Sequence, residues 1–82
     1  MGMVLSFLQQ AQQRALQTEV NSLQSEGYKV VCSANLLGNV RSYKLRHFAN
    51  GNTIIVTARG LRIEIKKNGK MIKSYEITLH QS

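Results

Sequence analysis

The chain has 82 residues, 43% of them hydrophobic and 18% charged, a balance that excludes a disordered segment and supplies one hydrophobic core, hence a single domain over 1–82. Eleven Lys and Arg stand against four acids, none of them Asp, for a formal charge of +7, which points to nucleic acid, an acidic protein or an anionic surface as partner. One cysteine, Cys32, excludes both a disulfide scaffold and a cysteine-based metal cluster.

From Val4 to Glu26 the sequence contains neither Pro nor Gly and is rich in Gln, Ala and Leu, which predicts one long helix closed by Gly27 at its C′ position. Leu5, Leu16, Val20 and Leu23 share one helical stripe, with Leu8 and Ala15 flanking it. Gln9, Gln12 and Gln13 interrupt that stripe, so the core-packing part is expected from Ala15 to Leu23. The first turns, with Val4, Leu5, Phe7 and Leu8, are apolar around more of their circumference than one core needs. Two roles are open to them: a homo-oligomer interface with a second copy of the chain, or a cap on the far end of the same core.

The apolar run from Met1 ends at Gln9 and has no basic residues before it, too short for a signal sequence or a membrane span. A cytoplasmic, intracellular protein without membrane insertion is therefore expected. Arg14 is the one cation among the first 28 residues, so the helix also lacks the basic face of a membrane-surface helix.

After Gly27 the texture changes to β-branched and aromatic residues in short runs: Tyr28 to Ser33, Val40 to Ala49, Thr53 to Ala58, Leu61 to Lys66 and Met71 to Leu79. Asn50-Gly51, Arg59-Gly60 and Asn68-Gly69 separate the later runs, and short turns of this kind force antiparallel neighbours. The predicted fold is α+β: one N-terminal helix packed on one face of an antiparallel meander of about five strands.

A two-residue turn at Asn50-Gly51 sets Leu45 opposite Val56, Tyr43 opposite Ala58 and His47 opposite Ile54. One at Arg59-Gly60 sets Val56 opposite Ile63 and Ile54 opposite Ile65. Both turns place Tyr43, Leu45, Ile54, Val56, Ala58, Leu61, Ile63 and Ile65 on one apolar face for the helix to cover. For the last hairpin a three-residue turn is preferred over a two-residue one, pairing Ile65 with Met71 and Leu61 with Tyr75. Met71, Tyr75, Ile77 and Leu79 then point inward, together with a Lys73 that has to snorkel to the rim.

The opposite face receives Ser42, Lys44, Arg46 and Phe48, then Thr53, Ile55, Thr57 and Arg59, then Arg62, Glu64 and Lys66. One helix leaves this side open, and its guanidinium, ammonium, hydroxyl and aromatic groups suit a phosphate backbone and unpaired bases. Lys44, Arg46, Arg59, Arg62 and Lys66 are the candidate phosphate ligands, Phe48 the candidate stacking ring, and Lys67 and Lys70 extend the field at the last turn.

Catalytic chemistry has little support. Glu64-x-Lys66 on a strand, with Glu19 on the preceding helix, is similar to the restriction-endonuclease-like nuclease core over residues 15 to 67. That resemblance implies a metal held by a helix acid, an Asp and the Glu, and the chain departs from it where the Asp belongs: around Ile54 and Ile55 the residues are aliphatic. His47 falls on the apolar face as a lone histidine, and Cys32 reads as a small buried apolar residue. No enzyme, cofactor, metal or small-molecule substrate is expected.

The function expected from the sequence is thus a non-catalytic accessory protein that binds single-stranded or structured nucleic acid, or another polyanion, on the open basic face. The competing expectation is a protein-interaction module or small regulator that assembles through its N-terminal helix and sheet edges.

Overall fold

A computed structural model of the protein describes residues 6–78. Helix α1 (Ser6–Ser25) is followed by β1 (Tyr28–Leu36), β2 (Val40–His47), β3 (Thr53–Arg59), β4 (Arg62–Lys67) and β5 (Lys70–Glu76). The strands pair antiparallel in chain order, so the fold is the α+β arrangement read from the sequence.

The helix ends where its sequence says it should. Glu26 N–H donates to Leu23 O at 3.0 Å and Gly27 N–H to Gln24 O at 3.1 Å. Gly27 then takes φ +101°, and a Cβ there would lie 2.8 Å from His47 Nε2 and 3.0 Å from Phe48 Cε1. Glycine is required both for the left-handed backbone and for the close approach.

Leu16 and Val20 bury against Tyr28, Leu45, Ile54, Val56, Ala58, Ile63 and Ile65, with Ala15, Leu23, Tyr43, Tyr75 and Ile77 packed around them. The core half of the helix is therefore the predicted one, with one addition. Gln12, read from the sequence as an interruption, is 1% exposed. Its Nε2 donates to Asn39 O and to Gly60 O, both at 2.7 Å. One amide thus ties the β1–β2 turn to the β3–β4 turn beneath the helix, which is how a polar group is tolerated at that depth.

Two registers differ from the predicted ones by two residues. Leu45 pairs with Ile54 and Tyr43 with Val56, because β2 and β3 are joined by a longer loop. His47 N–H donates to Asn52 O at 2.9 Å, and His47 Nδ1 accepts from Ala49 N–H and Asn50 N–H at 3.1 and 3.3 Å. Across the next turn Val56 pairs with Ile65 and Arg59 with Arg62, so the turn residues are Gly60 and Leu61. A shift of two keeps the side chains that remain paired on their assigned faces.

The last hairpin follows neither predicted pattern. Asn68 and Gly69, at φ +49° and +87°, form the two-residue turn typical of Asn-Gly, which pairs Lys67 with Lys70 and Lys66 with Met71. A bulge then moves Lys73 opposite Ile65 and Tyr75 opposite Ile63. Lys73, Tyr75 and Ile77 reach the helix side as expected, but Met71 sits opposite Lys66 on the open side and is 48% exposed. Leu79 lies outside the described residues.

Candidate polyanion interface

Cross-strand pairing arranges the open face in rows. Lys29, Arg46 and Thr53 form the first; Cys32, Lys44, Ile55, Lys66 and Met71 the second. Ala34, Ser42, Thr57, Glu64 and Ser74 make the third, and Leu36, Val40, Arg59, Arg62 and Glu76 the fourth. The charges are unevenly divided among them. Lys29, Lys44, Arg46 and Lys66 occupy the first two rows with no acid, whereas both acids of the face, Glu64 and Glu76, lie in the other two.

At the acidic end, Arg59 Nε meets Glu64 Oε1 at 3.2 Å and Arg62 Nε meets Glu64 Oε2 at 3.6 Å. Two directly opposed guanidinium groups are thus held by one carboxylate between them. At the other end Lys29 stands directly opposite Arg46, and among the described residues none of Lys29, Lys44, Arg46 and Lys66 has an ion-pair partner. Like charges facing each other across a ladder cost stability, and an anion bound between them reverses the sign of that term.

The structure thus keeps Lys44, Arg46 and Lys66 of the predicted set together on the open face and adds Lys29. That residue was missed because the pairing of β1 depends on a bulge between Val30 and Cys32 that no sequence signal marks. Arg59 and Arg62 share the face but are engaged by Glu64. Lys67 and Lys70 pair with each other, and Lys67 pairs with the buried Ile54, so both project to the helix side of the last turn.

Phe48 is displaced too. It is 77% exposed in the β2–β3 loop, stacked on the His47 ring at 5.3 Å and 9° between planes, and not on the open face. His47 itself is structural: besides its Nδ1 contacts, its Nε2 lies 2.9 Å from Glu26 O and its ring meets Tyr28 edge-on at 4.9 Å. Because Nδ1 accepts from two backbone N–H groups, Nε2 carries the proton and donates to Glu26 O.

Of the residues assigned to a homo-oligomer interface, Val4 and Leu5 lie outside the described residues. Phe7 is 56% exposed and Leu8 half-buried, and both stand outside the core cluster. Phe7 borders an open groove of about 530 Å³ between α1 and β5, whose apolar wall is completed by Ala11, Ala15, Tyr75 and Ile77. Cys32, expected to be buried, is exposed, because it stands opposite Lys44 on the open face of the edge strand β1, of whose nine residues only Tyr28 is buried.

Glu19 and Glu64, the two acids of the nuclease-like arrangement, are on opposite sides of the sheet. Glu19 Oε2 accepts from Tyr75 Oη at 2.6 Å and from Lys73 Nζ at 3.2 Å, on the helix side where Lys73 was expected to snorkel. Among the described residues no group of three His, Cys, Asp or Glu side chains could hold a metal ion. Burial, and then the hydrogen bond and charge of Glu19, raise the Tyr75 phenol above its ordinary value of 10.0. A raised value in the folded state means that this contribution to stability is complete below pH 10 and is lost as pH climbs through the folded value. Spectrophotometric titration of the three tyrosines should therefore show one late phenol, and Tyr75→Phe should remove that late step.

Among the described residues no helix is long and apolar enough to cross a membrane. Comparison of the chain with protein-family models, with curated proteins and with solved structures finds no match.

Proposed function

We propose that the protein is a non-catalytic binder of nucleic acid or a related polyanion, and that the binding surface is the end of the open sheet face formed by Lys29, Lys44, Arg46 and Lys66. The observation that supports this most is the segregation of charge: four cations without an acid, two of them directly opposed across a ladder. Ile55, 36% exposed, lies between Lys44 and Lys66 and gives the cationic patch an apolar floor.

Among the described residues the open face carries no aromatic ring, since Tyr28, Tyr43 and Tyr75 are on the helix side and Phe48 is in a loop. Recognition therefore rests on phosphate contacts and has little base selectivity. An intracellular location fits this reading, because an exposed thiol such as Cys32 stays reduced there.

The test is fluorescence anisotropy of labelled single-stranded and double-stranded oligonucleotides at two salt concentrations. Affinity in the micromolar range at about 50 mM salt, falling steeply as salt rises, is the expected result. No binding at the lower salt would discard the proposal.

A further inference from the structure

The two edges of the sheet are built differently. β5 is guarded: it carries the bulge opposite Ile65 and Lys66, and Lys70, Lys73 and Glu76 along its length. These are the devices that keep an edge strand from pairing with another chain. β1 has almost none of them. From Val30 to Leu37 eight successive residues are uncharged in a chain of net charge +7. Its own bulge lies at one end, at Val31, leaving Cys32 to Leu36 in unbroken register with β2.

The exposed apolar residues of this edge lie at its two ends. Val30 and Val31 at one end are 38% and 53% exposed, and Leu36 and Leu37 at the other are 61% and 97% exposed. Between them lie the small residues Cys32, Ser33 and Ala34, and Asn35. We propose that β1 pairs antiparallel with β1 of a second copy of the chain about Ala34, joining the two meanders into one ten-stranded sheet.

Such a pairing is isologous, so the edge must complement itself. It does: with each face kept continuous, Val31 and Cys32 of each copy meet Leu37 and Leu36 of the other, Ser33 meets Asn35, and Ala34 meets Ala34 where two backbones approach closely. Two molecules of charge +7 also repel least where neither presents charge, and Lys29 falls outside the paired stretch. A heterologous acidic partner would favour the Lys-bearing β5 edge instead. The contact involves two strands alone, near the lower limit of about 1,000 Å² for a specific interface, so association is expected on the order of 10–100 µM.

This pairing does not depend on the polyanion reading, although it would set two basic faces side by side. Sedimentation velocity on the wild-type chain up to about 500 µM should show mass rising from one copy to two. Cys32 supplies the reporter, since its side chain points to the open face and away from the edge. With Cys32 opposite Leu36 of the other copy, the two Cys32 Cα atoms lie about 14 Å apart, and a nitroxide there should show dipolar broadening that appears with the dimer. Val31→Lys with Leu36→Lys, both at exposed sites, should abolish dimer and broadening while the far-ultraviolet circular dichroism is retained. A monomer at every concentration would overturn the proposal. So would a dimer without broadening, or one that survives the double substitution, and either would move the interface to the helix end at Phe7.

Discussion

Reversing two charges, Lys44→Glu with Arg46→Glu, should weaken oligonucleotide binding on the order of 100-fold at low salt and flatten the dependence of log Kd on log salt by about 2 units. Both side chains are exposed and without an ion-pair partner among the described residues, so circular dichroism and thermal stability should be nearly unchanged. Lys44 lies beside Lys66 across Ile55, and Arg46 opposes Lys29. The substitutions therefore place two carboxylates amid the remaining cations and cancel the field there. The same reversal at Arg59 and Arg62 is the control. Those groups already share Glu64, and their loss should cost far less affinity. Equal losses from the two pairs, or no loss from the first, would refute this location of the site.

Gln12→Ala should destabilise the fold by about 3 kcal/mol, combining the cavity left by a fully buried side chain with two lost hydrogen bonds. In a domain of this size that is a fall in Tm of roughly 12–24 °C. Gln12→Met isolates the bonds, because it conserves volume. Asn39 O keeps the Gly60 N–H at 3.2 Å, leaving Gly60 O as the carbonyl deprived of a partner, so about 1–2 kcal/mol should be lost. Calorimetry on the two variants separates packing from polar terms. A drop of less than about 5 °C for Gln12→Ala would mean that water replaces the amide and that the turns hold together without it.

What the sequence made legible is explained by the period of a strand. Side chains alternate strictly, so a register wrong by two residues still puts Leu45, Val56 and Ile63 in the core and Lys44, Ile55 and Lys66 outside. Faces were therefore readable while partners were not. The partners depended on loop chemistry without a strong propensity signal: the His47 ring taking the N–H groups of Ala49 and Asn50 ends β2 early and carries Phe48 off the sheet. Gln12 escaped notice because the carbonyls that satisfy it are 27 and 48 residues away, beyond any local window. Cys32 was placed inside because its neighbours are Val30 and Val31. The bulge between Val30 and Cys32 instead aligns Cys32 with Lys44 on the open face, which the single helix leaves uncovered.

The same contacts separate two scales of chain closure. Each strand bonds only to its sequence neighbours, through turns so short that little loop entropy is lost in making them. The amide latch from Gln12 to Gly60 instead spans 48 residues, and among the described residues it is the one hydrogen bond from the helix to that turn. The meander is thus built from local contacts, and by the relation between contact order and speed the seating of the N-terminal helix is the long-range closure the fold requires.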